Sequence, residues 1–154
     1  MFGRYQLLRL LGKSLRTMAW AVSPPSGSPE LMLVLPRVQP TGAAALQRWS
    51  EAVQRAARVS HPNLAVVVDS GVQDGWPYVA YELEGRATLT QRLTSKGLPG
   101  TEFAPLALQA LQGLAFAHEA GVAHHDLQPY MLLLTDNDQL ALAGLEVAAE
   151  SASA

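Results

Sequence analysis

The chain has 154 residues, of which 49% are hydrophobic and 16% are charged, and its formal net charge is −2. This length fits one domain or two small lobes with a sizeable apolar core. The near-neutral charge argues against nucleic-acid binding, which needs a basic patch, and the lack of cysteine excludes disulfides and thiolate metal sites. The N-terminus has no signal-peptide pattern and no apolar run reaches the length of a membrane span, so we expect a cytoplasmic protein.

The first half of the chain carries strand patterns on both sides of one helix. Apolar runs bounded by turn residues predict five strands, over residues 5–11, 17–22, 31–38, 64–72 and 77–83. We expect the first strand to end at Gly12, and Pro36 to lie near the end of the third strand or at a sheet edge. Residues 42–60 repeat apolar side chains at three- and four-residue steps, which predicts an amphipathic helix. The dipeptide Asp74-Gly75 predicts a hairpin between the last two strands.

The second half of the chain is mainly helical in pattern. Its elements are a break at residues 85–88, a short helix at 90–95, a long helix at 103–120 and a hairpin of two strands at 130–134 and 139–145. The long helix begins at Phe103 and ends at Ala120, and its apolar residues are spread around the helix, which favours burial on most faces. We expect residues 149–154 to form a disordered tail. This order of elements predicts an α+β fold rather than a doubly wound sheet.

A group of histidines lies between the long helix and the hairpin. His124, His125 and Asp126 are consecutive, and His118 lies on the preceding helix. Neutral imidazole is a common zinc ligand. However, the side chains of two adjacent histidines should diverge, and the chain has no H-x-x-x-H or H-E-x-x-H spacing. We therefore predict no metal site here.

Four stretches of the chain, in this order and spacing, resemble the eukaryotic-type protein kinases, most closely their bacterial serine/threonine branch. They read GRYQLLRLLGK, ARVSHPNLAVVVDSGV, GWPYVAYELEG and LQALQGLAFAHEAGVAHHDLQP. The resemblance runs from residue 3 to about residue 147. It implies a protein-kinase-like N-lobe over residues 1–82, with a five-stranded antiparallel sheet and one long helix. Residues 83–148 would then form the hinge and an incomplete helical C-lobe.

The resemblance also assigns positions in the N-lobe to nucleotide chemistry. A kinase positions phosphates, neutralises their charge with metal ions and orients a hydroxyl with an aspartate. Gly12 matches the first glycine of the phosphate-covering G-x-G-x-x-G loop, with serine and threonine at the other two positions. Val34 stands at the lysine position of the third strand, and a shift of three residues would bring Arg37 there instead. Ala52 stands where the helix should offer its glutamate. The hinge would contribute Glu82 and Leu83 to a nucleotide site.

In the C-lobe, the resemblance implies that one catalytic residue is kept and both metal ligands are lost. Asp126 matches the base of the H-R-D-L-x-x-x-N motif, and Met131 replaces its asparagine. The D-F-G motif aligns with Leu142-Ala143-Gly144. Neither a thioether nor an aliphatic side chain offers the oxygen that magnesium requires. We therefore expect magnesium-dependent ATP binding to be weak or absent, and weak ATP binding without magnesium stays open.

Two functions are compatible with these motifs. The first is a catalytically inactive, pseudokinase-like domain that acts in binding or scaffolding. The alternative is an active serine/threonine kinase of unusual design, or part of a longer kinase, with Asp126 as the base and Arg37 as a phosphate contact. In complete kinases later helices cover the long C-lobe helix. Here we expect that helix, from Phe103 to Ala120, to be exposed and to bind a protein partner or a second copy.

Overall fold

The structure is a computed structural model that describes residues 2–27, 29–83, 85–95, 100–122 and 127–144. These residues form β1 Gln6–Lys13, β2 Thr17–Ser23, β3 Leu31–Pro36, α1 Gly42–Ala57, β4 Val67–Gln73, β5 Trp76–Glu82, β6 Ala87–Thr88, α2 Leu89–Ser95, α3 Gly100–Glu119, a 3-10 turn Pro129–Met131, β7 Leu132–Leu134 and β8 Leu140–Leu142. The predicted tail, residues 149–154, lies outside the described residues. Among the described helices, none is both long enough and apolar enough to cross a membrane.

The N-lobe is an antiparallel five-stranded sheet in the order β1-β2-β3-β5-β4. The central strand β3 is buried along its whole length, which explains why it reads as a continuous apolar run rather than an alternating one. Helix α1 covers one face of the sheet with Trp49 and Val53. At the β4–β5 hairpin, Asp74 and Gly75 both adopt positive φ, as the Asp-Gly signal predicted. The predicted α+β fold, with a five-stranded antiparallel sheet and one long helix in the first half of the chain, is therefore confirmed.

Three local expectations were wrong, each because pairing between distant segments decides the structure. The first strand does not end at Gly12, since Gly12 and Lys13 still pair with β2. Residues 85–88 are not merely a break, because Ala87 and Thr88 form β6 and pair with β7. Tyr130 and Met131 lie in the 3-10 turn rather than in the first strand of the hairpin. The second sheet therefore has three strands, in the order β6-β7-β8.

Asn63 ties the N-lobe to the C-lobe behind the hinge. Its side-chain amide donates to the Leu140 carbonyl at 2.9 Å and to Gln109 of α3 at 3.1 Å. Its carbonyl accepts the N–H of Leu142 at 2.9 Å. Helix α3 approaches so closely that a Cβ on Gly113 would lie 2.8 Å from the Asn63 carbonyl oxygen. This close contact requires glycine at position 113. It holds α3 against the Asn63 segment, which in turn is hydrogen-bonded to β8.

A charged cluster holds the N-terminal segment against the edge strand β4. The half-buried carboxylate of Asp69 accepts hydrogen bonds from the Tyr5 and Tyr78 hydroxyls and from the Arg4 guanidinium. Partial burial alone would raise the pKa of Asp69. The hydrogen bonds from Tyr5 and Arg4, together with the Arg4 charge, outweigh burial and lower that pKa below its ordinary value.

This cluster should give the protein a measurable acid dependence. Because the folded-state pKa of Asp69 is lowered, its contribution is complete above the unfolded pKa of about 4 and is lost as the pH falls through the folded pKa. We expect Asp69→Asn to reduce the free energy of unfolding by about 1 kcal/mol at pH 7. The variant should also lose less stability than the wild type between pH 5 and pH 2 (about the range of the titration), measured by urea unfolding. The exposed Asp136→Asn is the control. If this variant reduced the loss of unfolding free energy at acid pH as much as Asp69→Asn does, Asp69 would not be the source of the acid dependence.

Candidate functional site

The β1–β2 turn is where a kinase would cover the nucleotide phosphates, and here three of its backbone amides are already hydrogen-bonded within the turn. The N–H of Ser14 donates to the Thr17 carbonyl at 2.8 Å. The N–H groups of Arg16 and Thr17 both donate to the Ser14 hydroxyl at 3.0 Å. A phosphate-binding loop needs such amides directed at the anion. Serine and threonine at the two lost glycine positions therefore build a closed, side-chain-bonded turn.

The structure gives Gly12 a packing role that does not involve phosphate. The ring of Tyr130, from the C-lobe, packs directly on it, and a Cβ at position 12 would lie 2.3 Å from a ring carbon. The Tyr130 hydroxyl lies 2.9 Å from the hydroxyl of Thr17, a fully buried residue of β2. One tyrosine thus spans the gap between the lobes and is itself only 4% exposed.

The two positions that should form the lysine–glutamate pair are apolar and buried. Val34 is 0% exposed, and Ala52 is buried on α1. Arg37 does not replace the lysine in this geometry: it lies beyond the end of β3, is exposed, and donates to the Ser14 carbonyl at 2.9 Å. The neighbouring Glu51 is exposed and bonds to Gln47 on the same helix. These residues supply no cation to the gap between the lobes.

The two predicted hinge residues, Glu82 and Leu83, differ in their exposure to solvent. Glu82 is exposed at the end of β5 and pairs with Leu31. Leu83 is buried, and its N–H donates to the Glu30 carbonyl at 3.2 Å. Behind the hinge, Met32 occupies the alanine position of the V-A-I-K motif, and it is fully buried in the same cluster as Leu133 of β7.

One apolar cluster contains buried side chains of both lobes. It combines side chains of the N-lobe sheet and α1 with side chains of the 3-10 turn, β7 and the β8 end. Its members are Ala19, Ala21, Met32, Val34, Trp49, Val53, Ala65, Val79, Tyr81, Leu83, Tyr130, Met131, Leu133, Ala141 and Ala143. The larger residues at sequence positions that kinases keep small or charged, such as Met32 and Val34, contribute directly to this cluster.

The D-F-G assignment was wrong by two residues. Leu142 points away from Met131 and packs with Leu64 and Ala117. Gly144 instead faces Met131, since a Cβ there would lie 2.7 Å from the Met131 sulfur. Two side chains that share a metal must converge, so Gly144 takes the place of the metal-binding aspartate. The N–H of Gly144 donates to the Tyr81 hydroxyl at 3.1 Å.

Magnesium does not fit the residues at these two positions. Met131 offers a soft thioether and Gly144 has no side chain, whereas magnesium requires hard oxygen ligands. Among the residues that the structure describes, no group of three or more histidine, aspartate or glutamate side chains is arranged to hold a metal ion. Asp126, with His124 and His125, lies outside the described residues, so the predicted base position has no structural account.

Sequence reasoning missed the residue that matters most in this site. Tyr130 falls on an unconstrained position of H-R-D-L-x-x-x-N, so the motif gave no signal for it. Its role depends on Gly12 and Thr17, more than 110 residues earlier in the chain. The substitution at Met32 did carry a signal, because a large side chain replaces the small alanine of V-A-I-K.

The comparisons with known proteins agree with this geometry. No protein-family model matches the chain. Among curated relatives, the serine/threonine-protein kinase PknL of Mycobacterium tuberculosis is 32% identical over 111 residues, which are 70% of this chain and 28% of the relative. PrkC of Bacillus subtilis is 25% identical over 134 residues, which are 86% of this chain and 21% of the relative. The chain therefore spans less than a third of the length of these relatives.

Solved structures give the same family. The kinase domain of Mycobacterium tuberculosis PknI superposes with a TM-score of 0.71 at 25% identity, over 96% of this chain and 60% of that chain. The sheet order, the position of α1 and the small C-terminal sheet define a protein-kinase fold with an N-lobe and part of a C-lobe. Over the matched residues, the chain belongs to the bacterial serine/threonine protein-kinase family.

The packing of Tyr130 on Gly12 predicts a specific coupling between the two positions. Gly12→Ala should cost about 2 kcal/mol of unfolding free energy, because the added methyl group overlaps the ring. The same substitution should cost almost nothing in a Tyr130→Ala background, as a coupling energy from urea unfolding would show. Tyr130→Phe is the matched control, since it keeps the ring and should keep the Gly12→Ala penalty. Equal penalties in all three backgrounds would contradict the contact.

Proposed function

We propose that this chain is a catalytically inactive, pseudokinase-like cytoplasmic domain that acts by binding other proteins in bacterial signalling. One observation carries the proposal: Met32 and Val34, at the alanine and lysine positions of the V-A-I-K motif, are buried with Tyr130 in one apolar cluster that joins the two lobes. A nucleotide bound at these positions would have to displace buried side chains, which costs burial energy.

The electrostatics support the same proposal. Phosphoryl transfer needs cations around the phosphates, and Val34 and Ala52 are buried apolar residues at the positions of the kinase ion pair. Met131 and Gly144 offer no oxygen where the metals would be held. Arg37, which the sequence offered as a substitute for the lysine, is engaged with the Ser14 carbonyl. This arrangement favours inactivity over an active kinase of unusual design.

The proposal predicts the response of the protein to ATP. We expect ATP at about 1 mM, with or without magnesium, to leave the melting temperature unchanged. A ligand present at 100 times its Kd would add about 2.7 kcal/mol of stability, which corresponds to a shift of several degrees. The measurement is a thermal melt followed by circular dichroism, with EDTA in the magnesium-free sample.

A variant with smaller side chains between the lobes separates two reasons for inactivity, namely the buried apolar side chains at the nucleotide position and the loss of the metal ligands. Met32→Ala with Tyr130→Ala removes two side chains from the space between the lobes. If this variant binds ATP, its binding should still be independent of magnesium, because positions 131 and 144 are unchanged. A magnesium-dependent shift in the wild type, or phosphate transfer that disappears in Asp126→Asn, would overturn the proposal in favour of an active kinase.

A further inference from the structure

The β1–β2 turn and the segment after β3 expose apolar side chains at one end of the N-lobe sheet. Leu15 is 91% exposed and Val38 is 77% exposed, the two highest values among the large apolar side chains in the described part of the chain. The two segments are neighbours, because the N–H of Arg37 donates to the Arg16 carbonyl at 2.8 Å. Each apolar residue directly adjoins one of these arginines in sequence. Together with Lys13, the last residue of β1, these residues form what we call the sheet-end surface.

Positive charge is concentrated in the sheet-end surface, although the whole chain has a formal net charge of −2. Lys13, Arg16 and Arg37 are all exposed, and none of the three forms an ion pair with a described residue. The first turn of the nearby helix α1 contains no acidic residue. Asp74 lies at the same end of the sheet, on the β4–β5 turn, where its carboxylate accepts a hydrogen bond from Gln73. Like charges on paired segments are unfavourable unless an opposite charge approaches them.

Hydrogen bonds hold the turn that carries Leu15 in one shape. The N–H of Ser14 donates to the Thr17 carbonyl, and the N–H groups of Arg16 and Thr17 donate to the Ser14 hydroxyl. The Arg37 guanidinium closes the turn from the other segment by donating to the Ser14 carbonyl at 2.9 Å. The exposed leucine is therefore presented on an ordered turn, and binding through it has little ordering entropy to offset.

From these observations we propose that the sheet-end surface binds an anionic lipid bilayer, with Leu15 and Val38 in the acyl boundary and the three cations among the headgroups. Apolar side chains flanked by lysine and arginine are the pattern with which proteins bind the interface of anionic membranes. Such binding needs no membrane-spanning segment. A bilayer surrounds a projecting side chain on every side, whereas a protein partner would need a groove shaped to receive it. The proposal goes beyond the proposed function and does not depend on whether nucleotide binds.

Co-sedimentation with vesicles tests the proposal on the 154-residue chain. We expect binding to vesicles of equal parts phosphatidylglycerol and phosphatidylcholine, and none to vesicles of phosphatidylcholine alone. Raising the salt from about 0.1 M to about 0.5 M should release the protein, because the screening length becomes shorter. Equal binding to both kinds of vesicle, or to neither, would overturn the proposal.

Charge variants test which cations meet the headgroups. Lys13→Gln should weaken binding about fivefold, and Arg16→Gln with Arg37→Gln about 25-fold, since each cation near the surface contributes about a factor of five. The matched control is Arg55→Gln with Arg58→Gln, which removes two exposed charges at the end of α1 and should bind like the wild type. Equal losses in the two double variants would show that only net charge matters. Circular dichroism melts establish that each variant is folded.

Apolar variants test insertion separately from charge. Leu15→Ser should weaken binding about tenfold, because it removes buried carbon atoms from the acyl boundary. Val66→Ser is the control, since Val66 is 72% exposed next to the start of β4, at the opposite end of the strand from the β4–β5 turn. If Leu15→Ser bound as tightly as the wild type, the apolar tip would not enter the bilayer.

A fluorescent probe locates the inserted residue, and the chain has no native cysteine to interfere. Leu15→Cys labelled with an environment-sensitive dye should brighten on the anionic vesicles, whereas labelled Val66→Cys should not. Bound protein with an unchanged signal at position 15 would place the membrane contact elsewhere. A soluble polyglutamate peptide distinguishes the other occupant. If it displaced the protein from vesicles, and also bound Leu15→Ser as tightly as the wild type, the cations would serve an acidic peptide and the membrane proposal would fail.

Discussion

The contact on which the site depends is the one that Tyr130 makes across the two lobes. Its ring packs on the backbone of β1 at Gly12, and its hydroxyl bonds to Thr17 of β2. A side chain of this size, almost entirely removed from water, contributes about 2 to 3 kcal/mol through its apolar area alone. One side chain of the C-lobe thus holds both strands of the β1–β2 hairpin.

The charged residues of a kinase site depend on one another, and this explains why the lysine, the glutamate and the metal-binding aspartate are absent together from the described part of the site. A buried lysine needs its glutamate and the phosphates, and carboxylates that hold metals need the metal. Once one member is lost, the remaining charges are buried without partners, which is strongly unfavourable. Val34, Ala52 and Gly144 carry no charge, so none of them leaves an unpaired charge in the core. The described part of the site is internally consistent as an apolar core.

How much could be predicted from the sequence depended on the range of the interactions involved. The sheet, α1 and the Asp74-Gly75 hairpin follow from local periodicity and turn residues, and they were predicted correctly. The D-F-G register failed because a short strand with apolar residues on every position gives no sign of which side chain faces Met131. The strand β6 and the role of Tyr130 were missed because both depend on partners about 45 and 115 residues away, and single-sequence patterns report mainly local geometry.

In kinases with an open cleft, two lobes can turn about the hinge, since the surface between them is wet. Here one apolar cluster contains residues of both lobes, from Ala19 to Ala143. Asn63 adds hydrogen bonds to Leu140 and Leu142 of the C-lobe. Opening the hinge would expose apolar area from both lobes at once, at a cost comparable to unfolding part of the core. Because the two lobes share one apolar core, we expect them to unfold as one cooperative unit.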